Sequence, residues 1–555
     1  MSRKQQKLDV FTRSQVEDLI NKGQLIVISN DQVLRLDKWA DRHPGGRLPI
    51  LHMVGKDATD PLAVYHSVDI LQQMCRYRIG VINEPWIDLE PPISRTSFNL
   101  ETTDGSRPFV PVLGQVAAKT SPKDKHVQSV VTDISHVPDT STTPQPEWLE
   151  LRSNVTKQMR EDSDDHTYSS ALDHLRQLEI DLDQSEYPAA DAATQRAISL
   201  EFRDLHQTVR ERGLYTCRLS NYAKELVRYS TLFSLFLVAF RYGWTLTSAV
   251  FLGLFWHQIM FSAHDAGHLS ITHNFKIDTA IGIFIADFCC GLSMGWWKSS
   301  HNVHHLVPNH PEHDPDIQNV PLFSTSSTFC KSLRSTYYGS IFPWDKAADI
   351  MVRIQEYTYY PVMGLARFNL YFLSWGYLIS DKATRLPSST WTRPLEGFCM
   401  LCYWYLFGYR LVWLSIPSWP LRIGFVLISH IATMPLHVQI TLSHWGMSTT
   451  DLGSAESFAQ KQLRTTMDVN CPAWLDFIHG GLQFQAVHHL FPRLPRHNLR
   501  EAQSLVRDFC KRVGVKYTIF NFVEGNEVVL GRLGEISKQL EILALCQRDM
   551  SLNKV

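Results

Sequence analysis

The chain of 555 residues is longer than one ordinary domain, and its length suggests about three to four structural units. Its 54 Lys and Arg residues balance 55 Asp and Glu residues, so the chain has no strong field to attract nucleic acid, which we exclude as a partner. The ten cysteines are scattered without paired spacings, and the polar start MSRKQQKLDV lacks the apolar core of a secretory signal, which together predict reduced thiols and a cytosolic N-terminus.

The stretch WADRHPGGRLPILHMVGKDATDPLAVYHS, residues 39–67, is the first that predicts chemistry. His43 is followed by Pro-Gly-Gly, which ends regular structure and lets the backbone turn closely beneath a flat ligand. His66 follows behind a short predicted helix. Two neutral imidazoles on opposite sides of a haem would fill both axial positions of the iron and suit it to electron transfer. His-Pro-Gly-Gly by itself also occurs in ordinary turns.

Residues 8–83 as a whole resemble a cytochrome b5 domain, through Trp39 before the His-Pro-Gly-Gly motif, GKDATDPL after it, and His66 at the place of the second ligand. The resemblance implies a small α+β domain that holds haem b between His43 and His66. It also implies a nicotinamide-dependent cytochrome b5 reductase as the electron donor. Three carboxylates either flank the haem edge where this reductase would dock or belong to the ordinary solvated surface: Asp57, Asp60 and Asp69.

Residues 98–195 differ in composition from the regions on either side. The stretch TSPKDKHVQSVVTDISHVPDTSTTPQPEW is rich in Ser, Thr, Pro and Asp and poor in large apolar residues. Such a segment cannot bury enough surface to offset its ordering entropy, so we predict a mostly disordered, flexible linker over 98–195. Charged residues with Leu and Ile at helical spacing between 149 and 213 predict one or two amphipathic helices.

Apolar segments in the second half of the chain predict an all-α membrane domain. Each approaches the roughly 20 residues needed to cross the hydrocarbon core. These segments are 232–263, a tight pair that turns near Arg241 to Gly243, and a second pair at 397–416 and 423–442. Residues 277–297 are also apolar, but Asp278, Asp287 and several glycines predict an interfacial or re-entrant segment. We therefore predict about four transmembrane helices, with both termini on the cytosolic side.

Three short clusters place imidazoles at i, i+3 or i+4 spacing, which aligns their side chains on one helical face. The clusters are HDAGH (His264 and His268), HNVHH (His301, His304 and His305) and QAVHH (Gln485, His488 and His489). Ionisable groups next to an apolar span are expensive unless they are functional. Each cluster alone could be a zinc site or a polar face, but seven histidines and one glutamine exceed what one tetrahedral zinc can use. Two metals are the simpler interpretation.

The identity of the metals follows from the clusters and the haem domain together. No Glu follows the first His of HDAGH, so the zinc-protease pattern is absent. No cysteine lies in the clusters, which argues against soft copper or iron–sulfur ligation, whereas imidazole suits iron as well as zinc and copper. A zinc hydrolase has no use for electrons from a haem domain. We therefore predict a pair of irons that activates oxygen.

At these clusters the chain resembles the membrane fatty acid desaturase superfamily, and within it the cytochrome b5-fused front-end group. The resemblance covers residues 8–83 and about 203–510 and leaves 511–555 as a cytosolic tail. Glutamine at the start of the third cluster is a mark of that group. The resemblance implies a cytosolic cap in which all eight cluster residues form the catalytic di-iron site. Gln485 would either bind iron directly or hold its partners by hydrogen bonds.

Desaturases also tend to use one more histidine between the second and third clusters. PLHVQITLSHW offers His437 and His444, of which we predict His444, nearer the end of the span, as the metal ligand. His437 is predicted to be a buried hydrogen-bonding residue. A structural role is predicted for three further histidines that lie near the clusters: His310, His313 and His479.

The linker, the lead-in FRDLHQTVRERGLY and the pattern HVQITLSHWGMST are most similar to those of fungal sphingolipid 8-desaturases. The resemblance implies an O2-dependent oxidoreductase of the endoplasmic reticulum membrane that inserts a double bond at carbon 8 of the long-chain base of ceramide. Electrons would come through its own haem domain. The alternatives are a front-end acyl desaturase and a b5-fused lipid hydroxylase. A membrane-anchored haem electron carrier, the non-enzyme alternative, would leave the three clusters without a role.

Overall fold

The computed structural model describes residues 9–95, 168–384, 386 and 388–552. The predicted linker lies outside these described residues from 98 to 167, whereas its end, from 168 to 195, is part of two helices and their connection.

The N-terminal unit is a four-stranded sheet with five short helices. The strands are β1 (Asp9–Val10), β2 (Ile26–Ser29), β3 (Gln32–Arg35) and β4 (Arg78–Val81), in the order β1-β4-β3-β2, with β1 parallel to β4 and the other pairs antiparallel. The helices are α1 (Arg13–Asn21), α2 (Asp37–Ala40), α3 (Leu48–Met53), α4 (Thr59–Tyr65) and α5 (Val68–Met74). Val16, Ile26 and Val33 are fully buried between sheet and helices. The predicted small α+β domain is confirmed.

Two amphipathic helices follow, α6 (Tyr168–Glu186) and α7 (Ala192–Glu211). Helix α7 begins at Asp191, whose carboxylate accepts hydrogen bonds from the first exposed backbone N–H groups of the helix. Its apolar face, with Phe202 and Leu205, is buried in a cluster that also contains Val64 of the N-terminal unit. The apolar face of α7 therefore packs between the N-terminal unit and the C-terminal part of the helical domain.

The rest of the chain is almost entirely helical, as predicted. Its helices are α8 (Leu219–Arg241), α9 (Thr245–Gly267), α10 (Phe275–Ile283, continued as a π-helix over Phe284–Cys289), α11 (Met294–Leu306), α12 (Lys346–Arg353), α13 (Gln355–Ile379), α14 (Ser389–Tyr403, continued as a π-helix over Trp404–Ser415), α15 (Trp419–Ile431), α16 (Met434–Trp445), α17 (Phe458–Thr465), α18 (Asp476–His479), α19 (Gln485–Leu490), α20 (Leu499–Val513) and α21 (Phe522–Leu552). Two pairs of short strands complete it, β5 (Leu333–Arg334) with β6 (Ile341–Phe342) and β7 (Asp468–Asn470) with β8 (Ile519–Asn521).

In the described part of the chain, two helical stretches are long and apolar enough to cross a membrane, Thr245–Gly267 and Trp419–Trp445. A third span exists if the bent pair formed by α10 and α11 counts as one. This number is smaller than the four predicted, because α8 begins with the polar turns LSNYAKEL and α14 changes to a π-helix midway. Both helices still expose large apolar side chains, such as Leu237 and Leu401, which fits contact with lipid.

The predicted re-entrant segment is a sharp bend. The chain turns by 117° between Phe275–Cys289 and Met294–Leu306. Gly291 at this bend has φ +71°, and a Cβ there would lie 2.3 Å from the ring of Tyr403, so only glycine fits. The bend directs α11, with the second histidine cluster, back toward the N-terminal unit.

The last segment, for which the sequence predicts only a cytosolic tail, contributes to the packed domain. Strand β8 pairs in parallel with β7, and the 31-residue helix α21 follows it. Val529, Leu533 and Ile536 of α21 are fully buried. The helix therefore contributes to the core and extends the helical structure to residue 552.

Candidate metal centre

The first histidine cluster lies at the C-terminal end of α9, where the span ends. His264 and His268 are one helical turn apart, with ring centroids 4.6 Å apart. Asp265 between them accepts a 2.6 Å hydrogen bond from Arg496, which lies beyond the third cluster. This buried ion pair ties the first cluster to the third.

The second cluster lies on α11, after the bend. Ser293 begins this helix and accepts a hydrogen bond from the backbone N–H of Trp296. His304 and His305 are almost fully buried, and His301 is slightly more exposed. The Nε2 atoms of His301 and His305 are 3.0 Å apart, about the separation of two ligands at right angles on one metal with bonds of about 2.1 Å.

The third cluster occupies the short helix α19. Asp468 on β7 accepts a 2.8 Å hydrogen bond from the backbone N–H of Ala486, in the first turn of the helix. Burial raises the pKa of Asp468 to about 6, while hydrogen bonds from Tyr517 and Gln503 oppose that rise. His488 and His489 are directed inward and buried.

The folded chain places these side chains in two groups of closely spaced ligand atoms, and a third set, His301, His304 and Asp316, links the two. Within each group, all ligand atoms lie within 4.8 Å of one another. The first group is His264, His268, His301 and His488, and the second is His304, His444 and His489. His305 lies between the groups, with its ring 4.7 Å from that of His268 and 4.1 Å from that of His489. The fold thus brings all seven cluster histidines and His444 close together.

The donor atoms in both groups fit a metal. In the described part of the chain, six of these histidines have a buried ring nitrogen with no hydrogen-bond partner, namely His264, His268, His305, His444, His488 and His489. Leaving so many buried nitrogens unpaired costs about 1–3 kcal/mol each unless a metal uses their lone pairs. Burial lowers the pKa of His488 and His489 well below the usual 6.5, and nearby imidazoles lower it further. Both rings are therefore neutral, as metal ligation requires.

Residues outside the clusters orient two of the imidazoles. His304 Nδ1 donates to Asp314 at 2.8 Å, and His489 Nδ1 donates to the side-chain oxygen of Gln462 at 2.9 Å. Each contact holds the ring so that Nε2 faces the group. Asp316 lies close to His301 and His304 and could supply a carboxylate ligand. No sequence pattern predicted these three residues. Two of them, Asp314 and Asp316, lie in the run HPEHDPD after the second cluster, which is unusually polar for so buried a segment.

Gln485 joins the second group. Its side-chain nitrogen is 3.3 Å from Nε2 of His444. Within the described residues its buried oxygen has no hydrogen-bond partner. An amide oxygen left unpaired beside three imidazoles is available to a metal, so the structure leaves a direct bond and a supporting role both open to Gln485.

The structure separates the remaining histidines from both groups. His437 contacts the hydroxyl of Thr433 at 3.3 Å, and His479 Nδ1 donates to the side-chain oxygen of Gln439 at 2.6 Å. His310 stacks on His313 with ring centroids 4.0 Å apart. Of the two candidates in PLHVQITLSHW, the fold thus brings His444 and not His437 to the metal groups.

A second candidate site lies in the N-terminal unit. His43 and His66 face each other with ring centroids 6.0 Å apart. Two imidazoles on opposite sides of one metal, with bonds of about 2.0 Å, would have centroids about 6 Å apart. His43 Nδ1 donates to the carbonyl of Gly46 at 2.8 Å, which leaves its Nε2 free. Burial and the neighbouring His43 lower the pKa of His66 to about 4. The pair therefore fits the axial positions of a haem.

The N-terminal unit is docked against the metal groups. The Tyr65 hydroxyl donates to the backbone carbonyl of His305 at 3.0 Å. Because Tyr65 directly precedes His66 in the chain, this hydrogen bond brings His66 close to the second cluster. Arg203 on α7 donates to Asp60 at 2.6 Å and lies 3.5 Å from Asp57. Asp60 is buried by this contact. Two of the carboxylates considered for a reductase are thus used within the chain.

Comparison with known proteins agrees with the geometry. The chain matches the fatty acid desaturase family over residues 242–521 and the cytochrome b5-like heme/steroid binding domain over residues 12–83. A Delta 8-(E)-sphingolipid desaturase of Emericella nidulans is 46% identical over 550 residues, which are 97% of this chain and 96% of that protein. The Delta 8-(E)-sphingolipid desaturase of Komagataella phaffii is 44% identical over 546 residues, 98% of this chain and 96% of that protein. An acyl-lipid (9-3)-desaturase of Borago officinalis is 35% identical over 295 residues, 53% of this chain and 64% of that protein.

Proposed function

Because the chain belongs to the fatty acid desaturase family and carries a cytochrome b5-like domain, we propose that it inserts a double bond at carbon 8 of the long-chain base of ceramide. The double bond would have the E geometry that the names of the fungal relatives state. The observation that carries the proposal is the near full-length similarity to these desaturases, which includes the haem domain and all three histidine clusters.

The reaction consumes O2, two electrons and two protons for each double bond. When bound, haem b would supply the electrons singly and two irons would supply the O2-dependent removal of one hydrogen from each of two adjacent methylenes, with both oxygen atoms leaving as water. The protein's own residues orient the imidazoles and keep water out of the site. Asp314 and Gln462 hold His304 and His489 in the orientation that directs Nε2 inward, and burial of the clusters excludes bulk water.

We propose all eight cluster residues and His444 as iron ligands, and His43 and His66 as the axial ligands of the haem. Since the haem unit contacts the second cluster, we place both termini on the cytosolic side, in the endoplasmic reticulum membrane. A nicotinamide-dependent cytochrome b5 reductase would reduce the haem. With Asp57 and Asp60 bound to Arg203, this reductase would approach a different face or meet an undocked haem unit.

The proposed activity is tested by expression in a yeast that makes ceramide but lacks such double bonds. Hydrolysed long-chain bases are expected to gain unsaturation at carbon 8, while total acyl methyl esters remain unchanged, both measured by mass spectrometry. The enzyme would select the reacting carbon by its distance from the bound polar group, and this group differs between a long-chain base and an acyl chain. The two substrates should therefore not be interchangeable. New acyl unsaturation with unaltered bases would instead establish an acyl desaturase, and a hydroxylated base a lipid hydroxylase.

The role of Gln485 is tested by two substitutions. Gln485→Ala removes the unpaired oxygen, and we expect activity to fall by about 10- to 100-fold, the loss typical of groups that support a metal ligand, or further if Gln485 binds iron directly. Gln485→His restores a donor atom and is expected to keep part of the activity. Non-haem iron content of both variants is measured alongside. Full activity and full iron content in Gln485→Ala would remove this residue from the site.

Docking of the haem unit is tested at Arg203. Arg203→Glu places a third carboxylate beside Asp57 and Asp60, and we expect reoxidation of the reduced haem in the presence of substrate and O2 to slow by about tenfold, because like charges across an interface are unfavourable. The haem spectrum itself should not change. The matched control is Arg196→Glu on the exposed face of α7. The charge swap Arg203→Asp with Asp60→Arg should recover part of the rate. Equal rates in wild type and Arg203→Glu would disprove the docking role.

A further inference from the structure

A pocket lies at the bend between α10 and α11, beside the haem unit. The space between its lining atoms, counted out to where the pocket opens to solvent, measures about 480 Å³. Phe275, Ile283 and Met294 line its apolar side, and Pro44 of the His-Pro-Gly-Gly motif reaches its edge.

Three polar side chains in this pocket have unused hydrogen-bonding atoms. The hydroxyl of Thr279 is buried, with 5% of the residue exposed, and has no partner within the described residues. Lys298 lies over the ring of Phe275, with Nζ 5.2 Å from the centroid, and forms no hydrogen bond or ion pair in the described part of the chain. A buried hydroxyl such as that of Thr279 is normally paired, so this unpartnered atom, with the half-buried ammonium of Lys298 lining the same pocket, points to a polar ligand.

Glu396 supplies an acceptor opposite these donors. Its Oε2 accepts hydrogen bonds from Ser293 Oγ at 2.6 Å and from the backbone N–H of Gly295 at 3.0 Å. No hydrogen bond from the described residues reaches Oε1. A Cβ at Gly295 would lie only 2.7 Å from this oxygen, so glycine keeps the space in front of it open.

The charges of the pocket argue against a phosphate. The carboxyl group of Glu396 lies in the pocket together with the cations of Lys298 and Arg393, and Arg393 already donates twice to the carbonyl of Leu378. A phosphate is bound best by an excess of Arg and Lys donors. Hydroxyl and amide groups, by contrast, can both donate to Glu396 and accept from Lys298 and Thr279.

The pocket also lies on the same face of α11 as two histidines of the candidate metal centre. Met294, Lys298, His301 and His305 follow one another at intervals of four, three and four residues, so they lie on one face of α11. His301 is about 4.5 Å and His305 about 10.5 Å beyond Lys298 along the helix axis. A polar group bound at Lys298 would thus lie about 4.5 to 10.5 Å along the helix axis from these two histidines, a distance that a chain of several carbons can span.

We infer that this pocket binds the uncharged hydroxyl and amide headgroup of ceramide, through Lys298, Thr279 and Glu396, and thereby sets the carbon that reaches the metal centre. This inference rests on the proposed function and adds the site that recognises the substrate. The apolar chain of the base would leave the pocket toward His301 and the other histidines.

Binding is measured first, on the purified full-length holoenzyme with a photoactivatable short-chain ceramide. Lys298→Met, Thr279→Val and Glu396→Gln conserve side-chain size, and each is expected to weaken labelling by about tenfold, the effect of one lost hydrogen bond to a charged or buried group. Lys276→Met, an exposed lysine on α10 outside the pocket, is the matched control and should label like the wild type. Ceramide should compete with the probe, and ceramide 1-phosphate should compete poorly until Glu396→Gln removes the negative charge.

Kinetics of the same variants complete the test. The KM for ceramide should rise about tenfold with kcat within about twofold, since the lost contacts hold the substrate and not the reacting carbons. Haem spectra and non-haem iron content should equal those of the wild type. Unchanged labelling and KM in all three variants, or equal competition by ceramide 1-phosphate in the wild type, would overturn the inference. Failure of the wild type to form the carbon 8 double bond, with pocket-dependent ceramide labelling intact, would overturn the proposed function alone.

Discussion

Replacing His304 or His488 with alanine is expected to abolish desaturation while the haem spectrum is retained. The two residues represent the two groups of imidazoles, so each substitution would remove one proposed iron ligand from a different group. Activity should fall by more than about a hundredfold, because loss of even an orienting partner costs 10- to 100-fold and loss of a ligand costs more. Non-haem iron should fall from two per chain toward one or none, measured by metal analysis of the purified protein.

The matched control for this experiment is His273→Ala. His273 is exposed, lies nine positions after His264 and contacts only the backbone carbonyl of Tyr215 and the side chain of Arg493 among described residues. Its variant should keep iron and activity. Wild-type activity in His304→Ala and His488→Ala would exclude both groups as the catalytic centre. The same metal analysis tests the electron-carrier alternative, which requires haem iron and no other iron.

Replacing His43 with alanine is expected to abolish the low-spin haem spectrum and the activity together. His43 and His66 face each other as two axial ligands would, so the loss of one imidazole removes half of the axial set. The non-haem iron should stay at two per chain, because the metal groups contain no residue of the N-terminal unit. Absorption spectra in the oxidised and reduced states, with metal analysis of the same sample, provide the measurement.

Added free cytochrome b5 should restore activity of the His43→Ala variant only weakly. A donor on the same chain acts at a high effective concentration that a separate protein must match. The variant's own haem-free unit also stays in contact with the second cluster through Tyr65, where an external donor would have to bind. Low-spin haem absorption that survives in His43→Ala would refute the axial assignment, and full rescue by dilute cytochrome b5 would refute the importance of docking.

Local patterns in the sequence were sufficient to predict the three histidine clusters, the haem motif and the protein family. In HNVHH and HDAGH the spacing places the imidazoles on one face of a helix, whatever the rest of the chain does. The His-Pro-Gly-Gly turn and His66 likewise lie within one small domain. The comparisons confirm the predicted desaturase and cytochrome b5 families, and the structure confirms an α+β unit followed by a helical domain.

The number of spans was less predictable, because hydropathy along the sequence does not show where a helix bends or changes its hydrogen bonding. The segment from 277 to 297 was not counted as a span because of its acidic residues and glycines, and the chain does turn by 117° there; the two predicted spans that are not confirmed lie in α8 and α14. For the C-terminal segment, the sequence analysis predicts a cytosolic tail and no packed helix, whereas the structure has the partly buried helix α21 there. Its helix α21 has a mixed composition, and its buried face becomes evident only against α13 and α16.

What the sequence by itself determined is therefore the set of candidate side chains for metal and haem, because i, i+3 and i+4 spacing is a local property of a helix. Only the tertiary structure decided how that set divides into two groups, why His444 joins them and His437 does not, and which residues orient the imidazoles. It also decided that Asp60 binds Arg203 and that Tyr65 reaches His305. These pairs are separated by more than a hundred residues, so their contacts depend on how helices pack, and no local pattern encodes packing between distant segments.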